Sequence, residues 1–106
     1  MLDTATISRL AEDVARDTAV KPSIERVMTQ PVTDSEGKGG LRITFVIKPG
    51  SIERLSGDET LDLLVGIQRR LLDEGEERFP VVEYATEEEL LEDRFENDEG
   101  QVEDDR

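Results

Sequence analysis

The stretch from Leu41 to Lys48 constrains the fold more than any other, because β-branched and aromatic residues alternate there with polar ones. Its odd-numbered positions are apolar and would share one face of a strand: Leu41, Ile43, Phe45 and Ile47. Its even-numbered positions are mostly polar and would share the opposite face: Arg42, Thr44, Val46 and Lys48. This period of two predicts a half-buried central strand, whose apolar face must be covered by other elements of the chain.

An amphipathic helix is predicted before this strand. From Thr4 to Asp17 the apolar residues recur every three or four positions, and charged residues occupy the rest of the helical wheel. Thr4 or Thr6 is placed to cap the start of this helix. Pro22 disfavours helical geometry in the residue before it, so the helix should end by that point. We expect this helix to lie on the sheet.

A hairpin is predicted to lead into the central strand. Residues 23–33 give a weak strand signal, which Pro31 confines to the edge of a sheet or the end of a strand. Residues 34–40 are polar or glycine and favour a turn. The two strands that flank this loop should therefore pair with each other.

The segment from Asp58 to Glu74 carries the strongest helix signal in the chain. Ser56 and Glu59 match a capping box at its start, and Gly75 is placed to cap its end. Its apolar residues predict one buried stripe, widened by Ile67: Leu61, Leu64, Val65, Leu71 and Leu72. This helix is expected to cover the apolar face of the central strand.

A third strand and a short last helix are predicted to follow. Residues 79–84 combine β-branched and aromatic side chains, with Pro80 near the start, where its missing N–H is tolerated. Thr86 and Glu89 form a second capping box, which indicates a helix that begins near Glu87. The apolar content then falls too low to order the chain further.

These elements predict a two-layer α+β sandwich. The order is αββαβ with a short C-terminal helix, and both main helices lie on one face of a three-stranded mixed sheet. Residues 1–95 would form a single domain, and residues 96–106 would form an acidic disordered tail. The opposite face of the sheet would be open to water, where a partner could dock.

The chain contains neither cysteine nor histidine, which excludes much chemistry. Disulfides, thiolate nucleophiles, histidine-dependent catalytic triads and Cys- or His-ligated zinc are all impossible. We therefore expect no enzymatic activity and no cofactor. The first residues lack a basic and apolar targeting pattern, and no apolar run is long enough to span a bilayer, so the protein is expected to be cytoplasmic.

Other patterns resemble functional sites only weakly. Asp34, Glu36 and Gly37 resemble part of a calcium loop, but no further acidic ligand falls in register, so a polar hairpin tip is favoured. No phosphate-binding glycine motif is present. Glu76 and Glu77 are adjacent, whereas paired catalytic carboxyls face each other across a cleft, so both are expected to be solvated.

The charge is strongly negative and is concentrated at one end. The net charge is −14, from 27 acidic and 13 basic residues, and eleven of the acidic residues lie in positions 87–106. This charge repels nucleic acids and anionic membranes and favours a basic protein partner. Arg69, Arg70 and Arg78 form a small basic spot, but acidic residues lie among them, so intramolecular ion pairs are expected there.

Two groups of residues are predicted to bind a partner. One lies on the open sheet face, and the other on the acidic C-terminal segment: Arg42, Thr44 and Lys48, and Glu87, Glu88, Glu92, Asp93 and Glu96. The favoured function is protein–protein interaction, as in an antitoxin, immunity protein or inhibitor of a basic protein. The alternative is an accessory subunit or small-ligand-binding domain without its own catalysis. A free sheet edge would also allow two copies to form a homodimer.

Overall fold

The computed structural model describes residues 1–18 and 21–92. The predicted domain boundary at residue 95 and the predicted acidic tail therefore lie outside the described residues. The main elements follow in the order α1 (Thr4–Arg16), β1 (Ile24–Thr33), β2 (Gly39–Ile47), α2 (Gly57–Asp73) and β3 (Phe79–Ala85). Short 3₁₀ turns occupy Lys21–Ser23 and Ser51–Arg54. Residues 87–92 are helical, and we call them the C-terminal helical segment.

The sheet has three strands in the order β1-β2-β3, so that β2 lies in the centre. β1 pairs with β2 in antiparallel fashion through the short hairpin loop, and β3 pairs with β2 in parallel after the crossover through α2. The predicted two-layer α+β architecture with a mixed sheet is confirmed. We call the face of the sheet that α1 and α2 cover the inner face, and the opposite face the outer face.

The hydrophobic core lies between the inner face and the two helices. The predicted apolar positions of β2 are all at most 1% exposed: Leu41, Ile43, Phe45 and Ile47. The helices contribute the other buried apolar residues of this core: Ile7, Leu10, Ala11 and Ala15 from α1, and Leu63, Ile67 and Leu71 from α2. The period of two in β2 therefore predicted its buried face correctly.

The start of α1 differs from the prediction. Asp3, and not Thr4 or Thr6, is the N-cap, and its carboxylate accepts a hydrogen bond from the Thr6 backbone N–H at 2.7 Å. Hydrogen bonds from the side chain and the backbone of Thr6 hold the pKa of Asp3 below its usual value. Asp is among the best N-cap residues, and beginning the helix one residue earlier satisfies the free N–H groups of the first turn. The helix ends at Arg16, well before Pro22.

Both predicted caps of α2 are confirmed. At the start, the Ser56 hydroxyl accepts a hydrogen bond from the Glu59 backbone N–H at 3.1 Å. At the end, Gly75 adopts a positive φ of 79°. The backbone N–H of Gly75 donates to the carbonyl of Leu72, and that of Glu76 donates to the carbonyl of Leu71. This is the Schellman arrangement, which glycine favours because it has no side chain to strain the backbone.

The predicted buried stripe of α2 is partly wrong. Leu61 is 57% exposed and Leu72 is 72% exposed, whereas Leu63, which was not assigned to the stripe, is fully buried. The buried residues of α2 recur at intervals of four, along the line where the helix touches the sheet. Leu61 and Leu72 lie to one side of that line, so the apolar part of α2 is wider than its contact with the sheet.

Candidate functional site

The outer face carries the sheet residues that were predicted to bind a partner. Arg42 is half-exposed and forms an ion pair with Glu83 of β3 at 3.2 Å. Lys48 is exposed at the end of β2. Thr44, in contrast, is only 5% exposed, so the expectation that it is open to water on this face is wrong. Its short side chain lies between the longer side chains of its strand neighbours, Met28 and Glu83, which shield it from water.

An ion pair closes one end of the outer face. The Arg26 guanidinium donates two hydrogen bonds, both of 2.8 Å, to the carboxylate of Glu87. Arg26 on β1 and Ala85 on β3 both pair with Val46 on β2, so this ion pair crosses the sheet at Val46. Val46 is fully buried, so the predicted open face is closed at this end. The same hydrogen bonds lower the pKa of Glu87.

The C-terminal helical segment begins at this ion pair. Thr86 and Glu89 form the predicted capping box: the Glu89 carboxylate accepts from the Thr86 N–H at 3.1 Å, and the Thr86 hydroxyl accepts from the Glu89 N–H at 3.2 Å. Glu88 and Glu92 are exposed on this segment. The other two predicted partner-binding acids, Asp93 and Glu96, lie outside the described residues.

Apolar side chains are exposed at the other end of the outer face. Phe79 is 40% exposed and Val81 is 41% exposed. The Phe79 ring covers Gly40 of β2, where a Cβ atom would lie only 2.6 Å from the ring. The sequence predicts a strand for these residues but no exposed surface, because the parallel register that puts Phe79 beside Gly40 leaves no local signal.

A buried ion pair fixes the N-terminal segment to the end of α2. Glu76 is 3% exposed, and its carboxylate accepts hydrogen bonds from the Arg78 side chain and from the Leu2 backbone N–H at 2.9 Å. Arg78 also donates to the Leu2 carbonyl at 2.8 Å, so both polar groups of the Leu2 backbone are paired. Hydrogen bonding to Arg78, reinforced by Leu2, lowers the pKa of Glu76 to about 2.

This pair corrects one expectation and confirms another. Glu76 was expected to be solvated, which is wrong, because the Schellman arrangement after Gly75 turns this residue inward. The expected intramolecular ion pairing of Arg78 is confirmed. A cavity of about 450 Å³ adjoins the pair, lined by Met1, Lys38, Gly39, Gly75, Glu76, Glu77, Arg78 and Phe79. Because Arg78 occupies both oxygens of Glu76, this carboxylate is not free to act as a base.

A smaller apolar groove lies between α2 and β3. It has a volume of about 290 Å³ and is lined by Thr60, Leu61, Leu64, Val82 and Tyr84. The Tyr84 ring stacks on Phe45 with a centroid distance of 5.7 Å. The Tyr84 hydroxyl is buried and has no hydrogen-bond partner among the described residues, and burial raises its pKa.

Replacing Tyr84 with phenylalanine is expected to stabilise the protein by about 1 kcal/mol, because a buried hydroxyl without a partner costs about 1–3 kcal/mol. The aromatic stack on Phe45 is retained in this variant. Urea denaturation of the two proteins, side by side, measures the difference. A clear loss of stability in the variant would show that the hydroxyl has a partner in solution.

No known family matches this chain: family models, curated proteins and solved structures all give no match. Function must therefore be inferred from the residues themselves. Within residues 1–18 and 21–92, no cluster of three or more acidic side chains is arranged to hold a metal ion. Within the same residues, no helix is long and apolar enough to cross a membrane.

Proposed function

We propose that this protein is a non-catalytic binding module that docks a basic protein on its outer face, in the manner of an antitoxin, immunity protein or inhibitor. Two exposed groups of residues support this proposal, one on the outer face and one on the C-terminal helical segment that follows β3. Phe79 and Val81 expose apolar area at one end. Glu88 and Glu92 expose negative charge beyond the other end.

The outer face has dimensions that suit a protein partner. β3 has seven residues, which corresponds to about 20 Å between its apolar and acidic ends. A partner that fits would place an apolar side chain against Phe79 and lysine or arginine residues about 20 Å away. Apolar contact supplies affinity, while complementary charge accelerates association and selects the partner. The net charge of −14 favours a basic protein over nucleic acid or an anionic membrane.

The ionisation of the fixed carboxyls supports a non-catalytic role. Glu76 and Glu87 are each hydrogen-bonded to an arginine, and both have lowered pKa values. A carboxyl that serves as a general acid near neutral pH needs a raised pKa instead. These two groups therefore hold the fold together and are poorly suited to proton transfer.

The alternative function, small-ligand binding, draws support from the groove between α2 and β3, which is lined mostly by apolar side chains. A ligand with an apolar body would fit this groove. The groove, at about 290 Å³, is at the lower limit of known ligand pockets, which range from about 300 to 1,000 Å³. Protein binding on the outer face is therefore the better-supported proposal.

Affinity capture from nuclease-treated source-cell lysate, followed by titration of the purified partner, tests the proposed function. Val81→Glu should weaken binding at least tenfold, and Glu88→Lys with Glu92→Lys should weaken it by a similar factor. The matched control is Asp73→Lys with Glu77→Lys, which changes the charge equally at exposed positions near the end of α2. Binding should also weaken as salt rises, because screening reduces charge attraction.

The proposal would be contradicted by a partner whose affinity for both outer-face variants equals its affinity for the unchanged protein. A captured partner with an acidic surface, or binding that is insensitive to salt, would also count against it. Folding of every variant is checked by circular dichroism. If a small metabolite raises the melting temperature of the unchanged protein but not that of Leu61→Glu, the result would instead support small-ligand binding.

A further inference from the structure

α2 carries no charged residue over roughly 200° of its circumference, given about 100° of rotation per residue, whereas a helix packed on a core needs an apolar face only about half as wide. One half faces the core. The other half, which we call the α2 flank, combines two half-buried residues with three exposed ones: Leu64 and Val65, and Leu61, Gln68 and Leu72. No charged residue falls on this flank, although 38% of the chain is charged. Such a surface is unusual for a helix that faces only water.

The free edge of β3 lies beside the α2 flank. In the described part of the chain, β3 pairs with β2 only, so its other edge is open. The other free edge of the sheet, on β1, is protected by Pro31 and by a bulge between Ile24 and Arg26. β3 pairs with β2 in regular register, and its proline, Pro80, lies second in the strand, so the edge from Val81 to Ala85 contains no proline. The one charged residue of β3, Glu83, is neutralised by Arg42. The β3 edge therefore lacks most of the features that prevent strand addition.

The groove that contains Tyr84 joins the α2 flank to the β3 edge. Leu61 and Leu64 come from α2, whereas Val82 and Tyr84 come from β3. The two elements therefore form one continuous surface, about 25 Å long, as set by the 17 residues of α2. This surface is separate from the outer face. It is formed by α2, which lies on the inner face of the sheet, and by the edge of β3.

We propose that a second copy of this chain binds this surface. The two β3 edges pair in antiparallel fashion around a two-fold axis, which joins the two sheets into one, and the two α2 flanks pack against each other. Antiparallel pairing is the arrangement that a two-fold axis imposes on identical strands, and two-fold dimers are the commonest oligomers.

The length of the exposed stripe selects a second copy over other occupants. Leu61 and Leu72 are separated by three helical turns, or about 16 Å, and both are more than half exposed. The groove is lined by Leu61 but not by Leu72, so a small ligand held in it leaves Leu72 in water. A second α2, which is antiparallel and of equal length, covers both leucines at once. The absence of charge on the flank also makes it a poor fit for a basic partner.

Charge repulsion gives this dimer a distinctive dependence on salt. Each chain carries a net charge of −14, so two copies repel each other at low ionic strength. Screening by salt reduces this repulsion, and the dimer should therefore become tighter as salt rises. Binding of a basic partner to the outer face should instead weaken as salt rises. The salt dependence therefore distinguishes a failure of the dimer proposal from a failure of the proposed function.

Sedimentation equilibrium of the full chain, from about 1 µM to 1 mM protein at low and high salt, tests the dimer. The average mass should rise from one chain to two across this range, and the association should strengthen severalfold between 0.05 and 0.5 M NaCl, on the order expected from screening. Leu61→Glu should weaken association at least tenfold. Leu91→Glu is the matched control, because Leu91 is also 57% exposed and the charge change is identical.

Hydrogen exchange then locates the interface. Backbone amides of β3 should gain protection at the higher protein concentration, whereas those of the β1 edge should not. A chain that remains monomeric at 1 mM overturns the proposal and leaves the α2 flank to a different protein partner. Association that survives Leu61→Glu, or that weakens with salt, also overturns it. Circular dichroism confirms that both leucine variants are folded.

Discussion

Replacing Glu76 with glutamine is expected to lower the free energy of unfolding by about 3 kcal/mol at neutral pH, since a shift of one pKa unit corresponds to about 1.4 kcal/mol. The pKa of Glu76 falls from 4.5 to about 2 because Arg78 and the Leu2 N–H bind its ionised form. Glutamine has a similar shape but cannot carry the charge. The variant therefore leaves Arg78, which is mostly buried, without its counter-ion.

The loss should depend on pH in a defined direction. A carboxyl whose pKa is lowered by folding stabilises the protein fully at pH values above its pKa in the unfolded chain. This contribution disappears as the pH falls through its pKa in the folded protein. For Glu76 the window lies between about pH 5 and about pH 2. The stability difference between the unchanged protein and Glu76→Gln should therefore shrink from about 3 kcal/mol at pH 7 to less than about 1 kcal/mol near pH 2.

Urea denaturation at several pH values measures this difference. Glu77→Gln is the matched control, because Glu77 is the adjacent residue and is exposed. Its stability should differ from that of the unchanged protein by less than about 0.5 kcal/mol, as is usual for a surface substitution. Equal losses in the two variants, or a loss in Glu76→Gln that does not change with pH, would contradict the assigned role of the buried pair.

Replacing Gly66 with alanine is expected to destabilise the protein by about 1–2 kcal/mol, although alanine is the better helix former by about 1 kcal/mol. Gly66 lies in α2 where it meets α1, and a Cβ atom there would be 2.7 Å from Cγ1 of Val14. Val14 cannot easily turn away, because β-branched side chains in helices have one strongly preferred rotamer. The two helices would have to separate.

The sign of this effect should reverse when Val14 is shortened. In a Val14→Ala background, the new methyl group at position 66 has room, so Gly66→Ala should stabilise α2 by about 1 kcal/mol. A double-mutant cycle, measured by urea denaturation, should give a coupling energy of about 2–3 kcal/mol. If Gly66→Ala changes stability by the same amount in both backgrounds, the contact with Val14 does not limit the approach of the helices.

The parts of the fold that were predicted correctly depend on local chemistry. The alternation in β2 requires only that one face be buried, and Ser56, Gly75 and Thr86 cap helix ends through bonds to residues within a few positions. Interactions of this kind are visible in the sequence because both partners lie in one short segment. The order of the elements followed from them.

The errors concern interactions between distant segments. The buried Val46 lies where an ion pair joins Arg26 to Glu87, which are 61 residues apart in the sequence. Glu76 is buried by contacts with Leu2, 74 residues away, and in the sequence it is indistinguishable from the many solvated acids. The width of the buried stripe on α2 is likewise set by where the helix meets the sheet, so Leu61 could not be assigned to water from its spacing alone.

The candidate surfaces were predicted less well than the fold. Among the proposed binding residues, Arg42, Lys48, Glu88 and Glu92 are exposed, whereas Thr44 is not. The exposed apolar residues of the outer face, Phe79 and Val81, were missed, since the parallel register of β3 decides which face they occupy. Register between distant strands leaves no pattern in a single sequence.

The mixed pairing of β2 has a consequence for the order of assembly. Thr33 and Gly39 pair across a short loop, whereas Gly40 pairs with Phe79 only after α2 has crossed the sheet. Closing the longer loop costs more entropy, so we expect the hairpin to form before β3 docks. Until then β2, the most apolar strand, has one unpaired edge. While this edge is unpaired, the folding chain is most prone to aggregation, and the docking of β3 removes the risk by pairing the edge.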